Sequence, residues 1–140
     1  MLLCLEDLLA ALDWAEEIGG LEALVSRSDE NLRAISNWID ASAWADSLAV
    51  RPDTRSNTSI FLTITDPEIS RLPEADQKDF AKAITKRLEE ENVAFDIGAY
   101  RTAPAGLRIW GGPTVDTSDI LLLLDWLDFI FTEQKQIKIF

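Results

Sequence analysis

Histidine is absent from this chain, and cysteine occurs once, as Cys4. Without histidine the commonest general base and the commonest metal ligand are both missing, and one cysteine makes neither a zinc site nor an internal disulfide. A single free thiol fits a reducing compartment. Basic residues are also scarce, with 13 Lys and Arg against 25 Asp and Glu and a formal net charge of −12. Such a surface repels a phosphate backbone and an anionic bilayer, so neither nucleic acid nor membrane is an expected partner. Because the acidity is spread over many helical positions, it reads as a device for solubility. Long apolar runs are missing too. The most strongly apolar stretch, Ile120–Leu124, is five residues, far below the roughly 20 needed to span a bilayer. The opening Met-Leu-Leu-Cys-Leu-Glu-Asp has no basic region ahead of its apolar residues, so no secretory signal is expected, and the expected location is the cytoplasm.

What is present suits one soluble domain. The 140 residues are 47% hydrophobic and 27% charged, ordinary values for a chain that buries a single core. Leu2, Leu5, Leu8, Leu9, Leu12 and Ile18 recur at three- and four-residue spacings, which predicts an amphipathic helix that Gly19-Gly20 stops. A second helix is expected over 21–39, with a weak middle at Ser26–Asp29 that allows a break. Residues 41–54 read as irregular and close on a turn signal, Arg51-Pro52-Asp53-Thr54.

From there the period changes. Thr58–Thr65 is β-branched and apolar, a strand ended by Asp66-Pro67. A third helix is expected over 75–91, with Lys78, Lys82 and Lys86 on a solvated side. Strands are expected at 93–98 and 106–110, and a strongly apolar last helix at 117–131. The tail 132–140 alternates weakly and reads as a short strand or a frayed end. The expected order is α-α-β-α-β-β-α, an α+β fold whose three- to four-stranded antiparallel or mixed sheet is flanked by helices.

Chemistry is sparse. Cys4 lies in an apolar helical stripe, where an inert thiol is the ordinary reading. Glu16-Glu17 and Glu89-Glu90-Glu91 read as solvated helix charge. No glycine-rich phosphate loop is followed by lysine and a hydroxyl residue. The one arrangement of note is Ala99–Gly112, which sets Arg101 and Arg108 on either side of a Pro-Gly turn, with an apolar strand at the second. A guanidinium held beside a tight turn either grips a carboxylate or phosphate through paired hydrogen bonds or simply faces solvent at a hairpin.

Longer blocks carry a resemblance. Arg55–Ser59, Asp96–Trp110, Val115–Asp119 and Asp125–Leu127 resemble, in order and spacing, the small domain of phosphoserine aminotransferase. The opening residues and Gly19-Gly20-Leu21 resemble the helices that connect that family's two domains. The resemblance implies residues 1–41 as connecting helices, 55–131 as the small domain and 132–140 as a tail, all within one domain. It further implies a pyridoxal-phosphate-dependent homodimer that moves an amino group between O-phosphoserine and 2-oxoglutarate in serine biosynthesis. Within it, Arg108 would clamp the substrate α-carboxylate, and Arg101 would lie near the phosphate or distal carboxylate. Tyr100 stands where some members carry a histidine, and Arg55 would be structural. The Schiff-base lysine and the rest of the cofactor-binding large domain have no counterpart here. No bound cofactor and no turnover are therefore expected of this chain alone. A rival reading from composition is a small acidic binding module, a chaperone-like dimer without enzymatic activity, which predicts an exposed apolar patch and no arginine pocket.

Overall fold

The computed structural model describes residues 2–139; Met1 and Phe140, which bound the expected connecting and tail segments, lie outside the described residues. Helix α1 (Leu2–Glu17) and helix α2 (Gly20–Ala41) meet at the glycine pair. Gly19 and Gly20 have φ of 114° and 71°, left-handed values that a side chain would strain. The suspected break at Ser26–Asp29 does not occur. Ser28 Oγ donates to the Leu24 carbonyl inside the helix. Arg27 reaches the Pro113 carbonyl and the Asp116 carboxylate. Tertiary contacts thus override a weak local propensity.

Strand β1 (Ala45–Ser47) falls in the stretch expected to be irregular. Alanine, aspartate and serine have little preference for extended structure, and the strand exists by pairing with its neighbour. That neighbour is β2 (Ser59–Ile64), reached through a short 3-10 turn at Pro52–Thr54 where the turn signal stood. Helix α3 (Glu74–Glu90), strand β3 (Gly106–Trp110) and helix α4 (Thr117–Ile139) complete the order. The sheet runs β1-β2-β3, antiparallel throughout, with Phe61 opposite Arg108 and Thr63 opposite Gly106. It is an α+β fold with three strands flanked by helices, as the sequence leads one to expect.

The expected strand at 93–98 is reduced to one bridge, Gly98 with Leu107. The cause is local. Asn92 sits at φ 56° just past α3. Its N–H donates to the Glu89 carbonyl and that of Val93 to the Leu88 carbonyl, the paired bonds of a Schellman cap. Asp96 then adopts φ 55°, which breaks the extension a second time. At the other end, α4 continues through the segment read as a tail. Lys135 reaches Asp66, Arg87 meets Glu133, and Lys138 donates to the Asp76 carbonyl, so this last stretch is fixed by partners distant in sequence.

Alternation sorts the sheet. Ile60, Leu62 and Ile64 of β2 and Leu107 and Ile109 of β3 are buried on one face. They form one cluster with Ile35 and Ile39 of α2, Phe80, Ile84 and Leu88 of α3, and the inner row of α4 from Ile120 to Phe131. Arg108 therefore belongs to the opposite face.

Two polar contacts lock the helices around this core. Asn31 is wholly buried; its amide donates to the carbonyls of Gly111, Gly112 and Val115, and its oxygen accepts from Thr117. Asp128 accepts from the indoles of both Trp38 and Trp44, while Trp44 stacks on Phe131 at 4.2 Å. By contrast α1 contributes no buried residue at all.

Candidate functional site

Because Leu107 and Ile109 point into the core, the pleat sends Arg108 to the other side, across from Phe61. The strand can start at Gly106 only because that residue lacks a side chain. A Cβ there would stand 2.2 Å from the Leu62 carbonyl oxygen. Arg108 is left 16% exposed, with Nη2 donating to Asp96 Oδ2 at 2.9 Å. Its guanidinium carbon lies 4.8 Å from the centre of the Tyr100 ring, within cation–π range. Its Nε is buried and has no acceptor. A buried donor without a partner is costly, so this edge of the fork stands ready for an anion. Asp96, the only carboxylate paired with it among the described residues, is 90% exposed at the side chain and sits on left-handed backbone.

Arg108 borders a cleft of about 320 Å³ that also involves Phe95, Asp96 and Trp110. Phe95 and Trp110 are exposed aromatics. Arg101 and Tyr100 line a different cleft, of about 190 Å³, between α3 and the 98–106 turn. The structure therefore brings Tyr100 to Arg108 but sets Arg101 in a separate cleft beside Lys78 and Lys82. Arg101 has no ion pair among the described residues. Arg55 is placed as a brace, its Nε donating to the Ala49 carbonyl at 3.1 Å.

The five lysines do not provide a carbonyl-reactive amine. Such a lysine needs desolvation or a cationic neighbour to lower its pKa. Lys78, Lys82 and Lys86 instead face Glu74, Asp79 and Glu90, and Lys138 donates to a backbone carbonyl. Lys135 is only 25% exposed and bonds Asp66 at 2.7 Å. The Asp66 carboxylate raises its pKa, the wrong direction for a nucleophile. The donor set does not fit pyridoxal phosphate, whose aldehyde requires such an amine.

Sequence reasoning missed Asp96, Asn31, Asp128 and the Asp66–Lys135 pair. Asp96 had one signal. Aspartate, like asparagine, tolerates the left-handed region that a sharp turn requires. The other three act through partners more than 60 residues away, and no local pattern encodes them. Cys4 is exposed rather than tucked into a stripe, like the helix that carries it.

No protein-family model matches the chain. In sequence it is similar to the phosphoserine aminotransferase of Methanosarcina barkeri (strain Fusaro / DSM 804), 39% identical over 130 residues, which is 93% of this chain and 32% of that protein. The phosphoserine aminotransferase of Methanosarcina mazei is 38% identical over 126 residues, 90% of this chain and 31% of that protein. The chain thus spans about a third of the length of the relatives it matches. Among solved structures, the phosphoserine aminotransferase from Bacillus circulans subsp. alkalophilus superposes with a TM-score of 0.67 at 21% identity, over 87% of this chain and 30% of that one. A second phosphoserine aminotransferase, solved for radiation damage of its Schiff base, gives 0.66 at 18% identity, over 86% and 30%. At these identities the structural likeness establishes the fold. The chain is thus similar to phosphoserine aminotransferases over about a third of their length, and its fold is that of the aminotransferase small domain.

Proposed function

We propose that this chain serves as the small domain of a phosphoserine transaminase, with Arg108 as the clamp for a substrate α-carboxylate. One observation carries the reading, the buried and unpartnered Nε of Arg108. A carboxylate arriving at the Nε and Nη2 edge satisfies that donor and displaces the exposed Asp96 side chain, which holds Nη2 in its absence. Two parallel charge-assisted bonds then fix the substrate's orientation. Tyr100, against the guanidinium face, limits the planes the fork can adopt.

On this reading residues 1–41 connect to a cofactor-bearing domain, 55–131 form the substrate-binding small domain, and α4 carries the fold on through 132–139. The amine acceptor and donor would be 2-oxoglutarate and O-phosphoserine, in a cytoplasmic homodimer. Pyridoxal phosphate would be held outside this chain, since its own lysines are unsuited to it. Two measurements test the proposal. Purified chain with pyridoxal phosphate, O-phosphoserine and 2-oxoglutarate should show no turnover, and turnover would refute the division of labour. Glutamate or 2-oxoglutarate titrated into the labelled chain should shift the Arg108 Nε–H signal, with dissociation constants of roughly 10 mM or weaker. If that signal stays still while the rest of the spectrum is intact, Arg108 is not the clamp.

A second reading draws on α1, where Leu2, Leu3, Leu5, Leu8, Leu9 and Leu12 are all exposed. A patch of that kind suits an acidic, non-enzymatic binding module. The two readings separate on Arg108, which a binding module does not need.

A further inference from the structure

We propose that the cleft between α2 and the β1–β2 connection binds a small hydroxy acid, with Arg55 as the anchor for its carboxylate. The cleft, of about 190 Å³, is walled by one face of α2, the end of β1 and the segment that runs from Thr54 into β2. In a chain of net charge −12 no acidic residue lines it, and Arg55 is its one charged group. Arg55 is half-buried. Its Nε donates to the Ala49 carbonyl at 3.1 Å, and this bond to the cleft wall fixes the plane of the guanidinium. Nη1 and Nη2 have no protein partner among the described residues. The brace therefore ties down one edge of the fork and leaves the other facing solvent.

The ligand class follows from the lining. Two parallel bonds from the Nη edge match a carboxylate, and a single cation matches a single negative charge. Hydroxyls supply the next element. Thr54 donates to the Arg51 carbonyl and Ser56 accepts from the amides of Thr58 and Ser59, so both serve the turn. The hydroxyls of Ser36, Ser47 and Ser59 line the same cleft and have no hydrogen-bond partner among the described residues. Each is both donor and acceptor, which suits a hydroxylated ligand. The rest of the wall is apolar, with Ile39 and Ile60 buried and Leu32 and Phe61 half-buried, and it fits a short carbon chain. The volume lies below the roughly 300 Å³ at which drug-sized pockets begin, so the chain is a few carbons long. A carboxylate with hydroxyls on such a chain meets all of these requirements. A dianion would leave one charge without a counterpart, and a plain fatty acid would leave the serines unpaired.

This site does not depend on transamination, and it shares no lining residue with the Arg108 cleft. The test is a titration of the isotope-labelled chain at low ionic strength, followed through backbone amide signals. The probes are glycerate, propionate and glycerol, which share one chain length and differ in carrying both groups, the carboxylate alone or the hydroxyls alone. Signals of residues 32–39 and 47–61 should move with glycerate and saturate in the millimolar range. Propionate should bind roughly fivefold more weakly, the size of a hydrogen bond or two, and glycerol should not saturate. Arg55→Lys keeps the charge but loses the fork, and should weaken glycerate about tenfold. Ser36→Leu is favourable in a helix and fills the cleft without altering any charge, so it should abolish binding. Arg71→Ala removes an exposed arginine outside the cleft and should leave the affinity unchanged. The same spectra report whether each variant is folded, and if Arg55→Lys is not, Ser36→Leu decides alone. Unaltered affinity in Ser36→Leu, propionate or glycerol binding as tightly as glycerate, or glycerate shifts confined to 93–110 would each overturn the proposal.

Discussion

Helices α1 and α4 are both crowded with leucine, yet they stand in opposite relation to the core. In α4, Ile120, Leu123, Leu124, Leu127 and Ile130 are at most 8% exposed. In α1, Leu2, Leu3, Leu5, Leu8, Leu9 and Leu12 are each at least 45% exposed, and no residue is buried. Apolar composition states that a helix must be covered, but not by what. The sheet and two other helices cover α4 within this chain, whereas α1 touches little besides α2. The relatives that match this chain are about three times as long.

The contrast predicts very different costs for the same mutation. Leu127→Ala removes a wholly buried side chain and should destabilise by about 2–5 kcal/mol, the usual range for a core leucine that leaves a cavity. Leu8→Ala, on α1, should stay within about 0.5 kcal/mol in the monomer. Denaturant unfolding of the two variants checks this, and comparable losses would erase the distinction between the helices.

Asn31→Ala comes next, at about 1–3 kcal/mol, because it strips three carbonyls and the Thr117 hydroxyl of their buried partner. Its effect should reach the loop into α4, so exchange of the amides at 111–117 should quicken along with the loss of stability. A variant as stable as the parent would show that α2 and α4 are held by apolar packing alone.

A smaller effect separates by pH. Burial disfavours the Asp66 carboxylate, but Lys135 and the backbone N–H groups of Ile69 and Glu68 outweigh it and hold its pKa below the ordinary value. Its contribution is therefore complete above the unfolded value, near about 4, and is lost as pH falls through the folded one. Lys135 is raised, chiefly by its bond to Asp66. Its contribution is present below the unfolded value of about 10.4 and is lost as pH rises through the folded one. Asp66→Asn should cost about 1 kcal/mol at neutral pH and flatten the acid limb of the stability curve. An unchanged acid limb would mean that the contact is not formed in solution.

Elements whose reasons are local could be read from the chain alone. The strand at β2 follows from β-branched alternation, the α1–α2 corner from two adjacent glycines, and the placement of Arg108 from its apolar neighbours. Elements with distant causes could not. Three unremarkable residues become β1 because β2 offers an edge, and residues 132–139 stay helical because Asp66, Arg87 and Asp76 hold them. At the site, the resemblance picked out Arg108, Arg101 and Tyr100, but the separation of Arg101 from Arg108 arises in three dimensions. The bridge at Gly98 turns the segment between them, so that one arginine faces Asp96 and the other faces α3. Lysine spacing on α3 suggested a solvated face, and the facing turn makes part of it the wall of a cleft.

The smallest expected change in folding energy belongs to α1, and there the readout is assembly. All five charged residues of α1 are acidic, namely Glu6, Asp7, Asp13, Glu16 and Glu17. Two copies that meet through its leucines therefore bring like charges together, and association should strengthen as salt screens them. Leu5→Gln together with Leu9→Gln should leave unfolding within about 0.5 kcal/mol and abolish salt-promoted association in sedimentation. Amide exchange should be fast through α1 and slow through the second half of α2, whose Asn31, Ile35 and Ile39 are buried. Uniformly slow exchange through both helices in a monomer would show α1 to be stable without cover, and its leucines would then need a different explanation.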